Sequence, residues 1–245
     1  MSADWLGLDG ARVLVAGAGS IGAELVRGFG AAGARVVVAD VDPERLTPLD
    51  APGLEADVTS PAACRDLIAR AREQLGGLDI FVHCVGINDR RPIEDYADDD
   101  WERIITINLS SAFWLSQAAV AALREQGSAG RVIFFSSVAG LLGHQQHGPY
   151  AASKGGINQL MKVMAHELAA EGITVNAIAP GYVETHLTSA HLAKPGVRDK
   201  LLSLIPAGRF GTTEELVGPV LFLASKQAGF VTGHVLYVDG GRTTV

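Results

Sequence analysis

Short runs of apolar, mostly β-branched residues alternate along this chain with longer segments in which apolar residues recur at helical spacing. The runs occupy residues 12–16, 35–39, 78–83, 131–135, 174–178 and 235–238. Most are apolar throughout instead of alternating with polar residues, which is typical of parallel strands covered on both faces. The pattern therefore predicts an α/β fold built on a parallel sheet.

Helix-like segments connect these runs and are expected to cover both faces of the sheet. They lie at residues 21–32, 61–75, 101–126, 150–171 and 213–224. Such a succession predicts a doubly wound, Rossmann-type parallel sheet of about seven strands. Neither a repeat nor a shift in composition divides the chain, so we expect a single domain over residues 1–245.

Charge and composition narrow the choice of partners. The formal net charge is −7, without a broad basic stretch, so a nucleic-acid partner is not expected. No apolar run approaches the length of a membrane span, and the N-terminal sequence MSADWLGLDG lacks the basic start and apolar core of a secretory signal. We therefore expect a cytoplasmic protein without a membrane partner. Cys64 and Cys84 form no CxxC pair or His/Cys cluster, so no metal site is expected.

A glycine-rich loop follows the first predicted strand and opens a helix. In a GxGxxG loop of this kind, backbone amides and the helix dipole hold a pyrophosphate, and the glycines leave room for its approach. The candidate cofactor-binding residues of the loop are Gly17, Gly19, Ser20, Ile21 and Gly22.

Asp40 follows the second apolar run, roughly where a carboxylate meets the ribose hydroxyls of a dinucleotide. Because a carboxylate there repels a 2′-phosphate, we expect NAD(H) to be favoured over NADP(H). A positive charge from Arg12, Arg35 or Arg45 would act in the opposite direction. S-adenosylmethionine-dependent methyltransferases also combine a glycine loop with an acidic residue, so these residues alone leave both classes open.

Tyr150 and Lys154 form a pair suited to proton transfer. Their i, i+4 spacing places the phenol and the ammonium group on one face of a predicted helix. An unperturbed tyrosine has a pKa of about 10, whereas an acid or base works best nearer the operating pH. A neighbouring cation that stabilises phenolate would lower that pKa.

Taken together, the motifs resemble those of the short-chain dehydrogenase/reductase family along almost the whole chain. The serine of the match precedes the tyrosine by thirteen residues, which is the family's spacing. This resemblance favours an oxidoreductase over a methyltransferase. Beyond the glycine loop and Asp40, it is carried by Asp57-Val58, Cys84-Val85-Gly86, Asn108, Ser136-Ser137, Tyr150, Lys154, Pro180-Gly181, Val183 and Thr185.

The resemblance implies a catalytic role for four side chains. Tyr150 would donate a proton to a carbonyl oxygen in reduction, or remove it from a hydroxyl in oxidation. Ser137 would hydrogen-bond that oxygen. Lys154 would lower the tyrosine pKa and bind the nicotinamide ribose, and Asn108 would hold a water in a proton relay.

The resemblance also implies which residues contact the cofactor. The adenine would lie beside Asp57 and Val58, the ribose near Gly86, and the carboxamide beside Val183 and Thr185. Besides the glycine loop and Asp40, the expected cofactor-binding residues are Asp57, Val58, Cys84, Gly86, Tyr150, Lys154, Pro180, Gly181, Val183 and Thr185.

The sequence departs from the family pattern in two places. Ala16 stands where the family has threonine, and the loop through Gly22 is one residue shorter. His83-Cys84-Val85-Gly86 replaces the family's Asn-Asn-Ala-Gly. At a strand end, His83 is expected to be a hydrogen-bonded core residue rather than a ligand or proton donor.

The expected substrate is a small molecule that carries a secondary alcohol or a ketone. Segments 86–92 and 205–211 are most similar to those of sugar-acid dehydrogenases, which favours a sugar acid or polyol. Arg90 or Arg91 is a candidate for a substrate carboxylate, and His144 and His147 are expected at the pocket mouth.

Two alternatives remain open at this point. One is a reductase of 3-oxoacyl thioesters on acyl carrier protein, which has the same catalytic set. The other is a non-catalytic dinucleotide sensor or scaffold. The irregular segment 186–211 is expected to be mobile over the pocket. Family resemblance implies a homotetramer.

Overall fold

Seven parallel strands form one sheet in the computed structural model, which describes residues 5–185, 188–189 and 192–245. Their order is β3-β2-β1-β4-β5-β6-β7. This confirms the predicted fold class. In chain order the strands are β1 Arg12–Ala16, β2 Arg35–Asp40, β3 Gly53–Glu55, β4 Ile80–His83, β5 Arg131–Phe135, β6 Thr174–Pro180 and β7 Val235–Val238.

The pattern of apolar runs does not predict strand β3. Its three residues, Gly-Leu-Glu, contain one apolar side chain, and the strand lies at an edge of the sheet, where continuous burial is not required. Strands β2 and β6 also extend beyond the predicted ends, to Asp40 and Pro180. Both extensions reach the carboxyl edge of the sheet.

Helices connect the strands, and several begin at side-chain caps. Asp42 accepts a hydrogen bond from the amide of Glu44, and Ser60 accepts one from Ala63, each before a proline in the first helical turn. The helices are α1 Ser20–Ala31, α2 Pro43–Leu46, α3 Pro61–Leu75, α4 Asp98–Ile105, α5 Ser111–Gln126, α6 Gly148–Leu168, α7 Val197–Leu202 and α8 Val217–Ala224.

Each face of the sheet packs against its own helix layer. In β1, Leu14 and Ala16 join the core beneath α3, α5 and α6, whereas Val13 and Val15 join the core beneath α1 and α8. Alternate residues of one strand are therefore buried in opposite layers. This double burial explains why the strands appear in the sequence as continuous apolar runs.

A π-helical turn, Thr106–Ser110, joins α4 to α5. The predicted helix over residues 101–126 therefore starts earlier, at Asp98, and carries one wider turn in its middle. At its start, the carboxylate of Asp100 accepts a hydrogen bond from the amide of Ala97 at 3.3 Å. The acidic run thus stabilises a helix start.

Among the described residues, one helical stretch, Asp98–Gln126, is long and apolar enough to cross a membrane by length and composition alone. The expectation concerned uninterrupted apolar runs, and this stretch contains charged residues such as Glu102, Arg103 and Arg124. The side chains of Ile104, Leu115 and Leu123 in this stretch are fully buried. A buried core helix of this kind passes the same test.

The segment 186–211 contains α7 and is tied to the carboxyl edge at its far end. The amide of Gly211 donates to the carbonyl of Tyr182 at 2.9 Å, and Ala207 donates to Gly240 at 3.0 Å. Residues 186–187 and 190–191, which belong to the predicted mobile segment, lie outside the described residues. Its mobility stays a prediction.

Candidate active site

Two adjoining clefts lie along the carboxyl edge of the sheet. One has a volume of about 120 Å³ and the other about 180 Å³, and they share the wall residues Cys84, Val85 and Gly86. In an open α/β sheet, ligands bind at this edge, where the strand order reverses. Here the reversal lies between β1 and β4, directly at the shared wall.

The glycine loop connects β1 to α1 and lines the larger cleft. Gly17 has a φ of +100°, and a Cβ there would lie 2.8 Å from the carbonyl carbon of Cys84. A Cβ on Gly22 would lie 1.8 Å from the carbonyl oxygen of Gly17. Gly19, by contrast, would meet nothing within 4 Å. Two glycines therefore close the turn, while the third leaves open space before the helix start, as a pyrophosphate requires.

Ser20 and Ile21 begin α1. Ile21 lines the smaller cleft, on the side of Tyr150 and Lys154. Although the loop is one residue shorter than the family pattern, it still delivers the first turn of the helix to the carboxyl edge. The fit of a dinucleotide phosphate to this loop is therefore supported by its shape.

Asp40 lies in the larger cleft with its side chain only 7% exposed. Its carboxylate accepts hydrogen bonds from the amides of Ala18 at 2.7 Å and Asp42 at 3.0 Å. Arg45 lines the same cleft, with its guanidinium 3.8 Å from Asp40 and 3.2 Å from Asp42. The negative charge of Asp40 is thus held in a fixed position.

Arg12 and Arg35, the other cations considered for this site, lie elsewhere. Each is the first residue of its strand, so both lie at the amino edge of the sheet. Arg12 is paired there with Asp79 at 2.6 Å. Of the three arginines considered, only Arg45 reaches the cleft.

The remaining residues predicted to contact a cofactor divide between the two clefts. Asp57 and Val58 line the larger one, where the Asp57 carboxylate accepts the amide of Thr59 at 2.9 Å. The smaller cleft collects the candidates for the nicotinamide end. It is lined by Ser137, Tyr150, Lys154, Pro180, Gly181, Val183 and Thr185, among others.

Lys154 is buried beneath Tyr150. Its ammonium group donates to the carbonyl of Phe135 at 2.8 Å and lies 5.6 Å from the centre of the Tyr150 ring. Burial lowers the pKa of Lys154 to about 8. A Cβ on Gly86 would lie 3.3 Å from the Lys154 ammonium nitrogen, so glycine at this position leaves room for the lysine.

Burial raises the pKa of Tyr150 above its usual range, while a hydrogen bond with Ser137 and the positive charge of Arg90 act to lower it. The lowering of this pKa by Lys154, which the resemblance implies, stays a prediction. The unliganded cleft disfavours phenolate because little water solvates the ring oxygen. In this state Tyr150 is a proton donor, and Ser137 is the side chain that contacts it.

Asn108 lies in the π-helical turn and is fully buried. Its side-chain oxygen accepts the amide of Ile87 at 2.8 Å, while its side-chain nitrogen donates to the carbonyl of Ile87 at 2.9 Å and to Ser153 at 3.1 Å. The amide group is thus used to hold the loop after β4 against α6. Its role in binding a relay water stays a prediction.

Ser153 is a residue of the site that the sequence analysis does not identify. Its hydroxyl donates to the carbonyl of Tyr150 at 2.7 Å and accepts from Asn108, so it joins two catalytic candidates. The available signal was a polar residue one turn after the tyrosine on a helix face that is otherwise buried.

His83 meets its expectation only in part. Its Nε2 lies 2.9 Å from the hydroxyl of Ser111, but its Nδ1 is buried and has no hydrogen-bond partner within the described part of the chain. Burial, together with the charge of Lys154, lowers the pKa of His83 to about 3. The ring is therefore a neutral core residue beside the turn that carries Asn108.

Arg90 and Arg91, the two candidates for a substrate carboxylate, have different surroundings. Arg91 is paired with Asp89 and Asp100. Arg90 donates from Nε to Nε2 of His147 at 2.9 Å. His144 lies 5.7 Å from His147, measured between ring centres. Their expected place at the mouth of the pocket stays a prediction.

Known proteins resemble this chain over most of its length. A family model described as enoyl-(acyl carrier protein) reductase matches residues 15–243. Gluconate 5-dehydrogenase of Gluconobacter oxydans is 36% identical over 250 residues, covering 98% of this chain and 97% of the relative. The 3-oxoacyl-[acyl-carrier-protein] reductase FabG of Salmonella typhimurium is 39% identical over 193 residues, covering 79% and 78%.

Among solved structures, the gluconate 5-dehydrogenase from Burkholderia cenocepacia, in complex with NADP and tartrate, is similar along the whole chain. It has a TM-score of 0.91 and 36% identity, and the match covers 97% of this chain and 96% of that one.

Proposed function

Because the chain belongs to the short-chain dehydrogenase/reductase family, we propose that it interconverts a secondary alcohol and a ketone on a sugar acid or polyol, with NAD(H) as cofactor. The observation that carries this proposal is the convergence of Ser137, Tyr150 and Lys154 on one cleft beside the glycine loop. All three lie at the carboxyl edge, within reach of a single bound substrate.

The chain's own residues account for the proton. In reduction, Tyr150 gives its phenolic proton to the carbonyl oxygen, and Ser137 donates a hydrogen bond that stabilises the developing charge. In oxidation the proton returns from the hydroxyl to Tyr150. When bound, the nicotinamide supplies or accepts the hydride at the substrate carbon. Since burial raises the pKa of Tyr150, we expect oxidation to accelerate as the pH rises above neutral.

Lys154 and Asn108 support this step. Lys154 places a positive charge beneath the ring, which favours phenolate when the proton leaves, and it lies where the ribose of a nicotinamide would bind. Asn108 holds the loop through Ile87, next to Gly86 in the shared wall. The sensor alternative loses its support, because the set of side chains needed for turnover is complete.

The preference for NAD(H) rests on Asp40. Its carboxylate stays anchored by two backbone amides, and its charge would repel a 2′-phosphate. The positive charge of Arg45 is already shared with Asp42. The Burkholderia relative was solved with NADP, so the cofactor requires a direct measurement.

Fluorescence titration with NADH and NADPH tests the cofactor. We expect NADPH to bind the wild-type protein at least about tenfold more weakly than NADH, and Asp40→Asn to reduce this difference. Glu44→Gln is the matched control, because Glu44 is an exposed carboxylate of the same segment that does not line the cleft. Equal binding of both cofactors by the wild type contradicts the preference.

Turnover tests the reaction. We expect oxidation of D-gluconate or of a neutral polyol such as D-sorbitol, followed through the absorbance of the reduced nicotinamide. The second candidate, reduction of a 3-oxoacyl thioester, is favoured by the match to the Salmonella reductase. Acetoacetyl-coenzyme A is its test substrate. Turnover of the thioester alone would replace the sugar-acid proposal.

We also propose that the protein forms a homotetramer in the cytoplasm. Large apolar side chains are exposed on the two long helices, with Phe113 of α5 at 45% and Val163 of α6 at 55%. Strand β7 forms the outer edge of the sheet. These surfaces are suited to contacts between copies, and light scattering of the purified protein measures the mass of the assembly.

A further inference from the structure

His83 is a fully buried histidine at the end of β4. Its ring lies 6.5 Å from the ring of Phe81 and 6.2 Å from the ring of Phe134, measured between centres. Its Nδ1 has no hydrogen-bond partner among the described residues, and an unmet polar group in an apolar core costs free energy that a methionine or leucine would not. The useful polar contact of His83 is therefore the one that its other nitrogen, Nε2, makes.

Nε2 of His83 contacts the hydroxyl of Ser111 at 2.9 Å. That hydroxyl donates its single proton to the carbonyl of Ile107 at 2.5 Å, so its oxygen is left to accept. Since burial lowers the pKa of His83, the ring is neutral and carries one proton, which is thereby assigned to Nε2. Two hydrogen bonds thus run in one direction, from His83 through Ser111 to Ile107.

These two hydrogen bonds end inside the π-helical turn. The amide of Ser111 donates to the carbonyl of Thr106, five residues earlier, which is the π-helical bond. In a regular α-helix the same amide would donate to Ile107 instead. The hydroxyl of Ser111 supplies a donor to that carbonyl, and His83 fixes the hydroxyl in place. Both contacts therefore compensate the backbone for the wider turn.

The π-helical turn presents Asn108 to the loop after β4. Asn108 makes two hydrogen bonds to the backbone of Ile87, at 2.8 and 2.9 Å. Gly86 precedes Ile87, and a Cβ on Gly86 would lie 3.3 Å from Nζ of Lys154 and 3.5 Å from Oδ1 of Asn108. The asparagine, the loop and the lysine are thus in close contact, so a change in the turn would displace the wall of the cleft around Lys154.

We propose that His83 is a positioning residue, which stabilises the π-helical turn by donating to Ser111 and so holds Asn108 and the cleft wall at Gly86 against Lys154. His83 lines neither cleft and acts only through the turn. This role requires a donor at Nε2, whereas packing alone would require only a side chain of similar size. The inference rests on the proposed function for its effect on turnover, but not for its effect on the loop.

Four variants separate the donor from the packing. His83→Met removes the donor and keeps a side chain of similar size, whereas His83→Gln keeps a side-chain N–H donor at about the distance of Nε2. Ser111→Ala removes the bridging hydroxyl. Ser116→Ala is the matched control, because this serine is also buried in α5 and donates to a backbone carbonyl, that of Phe113 at 3.0 Å, but lies beyond the turn.

Hydrogen exchange followed by mass spectrometry reports on the loop without turnover. We expect the peptide that contains Ile87 to exchange about tenfold faster in His83→Met and in Ser111→Ala, because Asn108 no longer protects the amide of Ile87. His83→Gln should restore most of this protection, and Ser116→Ala should keep the wild-type rate. Faster exchange in Ser116→Ala to the same extent, or equal exchange in His83→Gln and His83→Met, would overturn the inference.

Steady-state kinetics measures the consequence for the reaction. With the substrate that the wild type turns over, we expect kcat to fall about tenfold in His83→Met and in Ser111→Ala, while KM and NADH affinity stay within about threefold. The two losses should not add in the double variant, because both break the same pair of hydrogen bonds. If the wild type turns over no substrate but the loop responds as expected, the proposed function fails and the positioning role stands. Faster loop exchange with an unchanged kcat in an active enzyme would overturn the role.

Discussion

At the amino edge of the sheet, the guanidinium of Arg12 donates to both carboxylate oxygens of Asp79, at 2.8 and 2.6 Å. At the carboxyl edge, the guanidinium of Arg90 donates to a neutral histidine and meets no described carboxylate. The amino edge also pairs Gln126 with the backbone of Leu78 in both directions, at 3.0 Å each. At the carboxyl edge, Nδ1 of the buried His83 has no hydrogen-bond partner among the residues that the structure describes.

The same residue types thus form hydrogen bonds that stabilise the fold at the amino edge, whereas at the carboxyl edge they lack such partners among the described residues. A paired polar group contributes to stability, whereas an unpaired one reduces it and is retained where a bound molecule completes the pairing. Substitutions at the amino edge should therefore change the free energy of unfolding with little effect on turnover. Substitutions of the residues that line the clefts at the carboxyl edge should reduce turnover with little effect on the free energy of unfolding.

Tyr150→Phe gives the sharpest form of this contrast. It removes only the phenolic oxygen, so we expect kcat to fall by about 10³-fold or more, while the melting temperature stays within a few degrees of the wild type. Steady-state kinetics and thermal unfolding measure the two quantities. NADH binding within about threefold of the wild type is the control for an intact cleft. A variant that keeps more than a tenth of the activity would remove Tyr150 from the proton transfer.

Asp79→Asn tests the amino edge. The substitution places an amide where Arg12 requires an acceptor, so we expect unfolding to become easier by about 2 kcal/mol, with kcat unchanged. Chemical denaturation measures the stability.

Asp66→Asn is the matched control for this change, because its pair with Arg70 is exposed on a helix surface. We expect it to cost less than about 0.5 kcal/mol. Equal losses in the two variants would show that the edge network has no special role in stability.

His83→Gln probes the carboxyl edge through pH. Burial lowers the pKa of His83 in the folded protein from its ordinary value of 6.5 to about 3. Its contribution to stability is therefore complete above pH 6.5 and is lost as the pH falls from 6.5 towards 3. For one such group the slope reaches about 1.4 kcal/mol per pH unit.

We therefore expect the glutamine variant to lose less stability than the wild type between pH 6.5 and pH 4.5, as measured by denaturation at a series of pH values. Parallel curves for the two proteins would mean that His83 is not the group that titrates. His144, whose pKa is also lowered, to about 4, contributes to the wild-type slope in the same direction and is unchanged in the variant.

The local sequence pattern was sufficient to predict most strands of the sheet and the pair formed by Tyr150 and Lys154. The buried strands are apolar on both faces, and a tyrosine and lysine four residues apart must share a helix face whatever the rest of the chain does. It was insufficient for β3, whose short edge pairing depends on β2.

Long-range contacts decide the features that the sequence left open. Arg90 and Arg91 are adjacent and chemically identical, and only folding brings Asp100 to one of them. The π-helical turn depends on a contact between Asn108 and Ile87, twenty-one residues apart. The placement of Arg12 and Arg35 could have been predicted, because the first residue of a parallel strand lies at the edge opposite the cofactor.

The site also depends on the number of residues in the π-helical turn. Within Thr106–Ser110 one extra residue is accommodated, which lets Asn108 face the loop after β4 while Leu115 and Leu123 remain in the core. Because the turn absorbs that extra residue locally, deleting one residue here would restore a regular helix and leave Leu115 and Leu123 in phase with the core. The deletion would instead remove the wide turn from which Asn108 reaches Ile87, so a protein that evolves from this scaffold can lose the turn and keep its core only by giving up that contact.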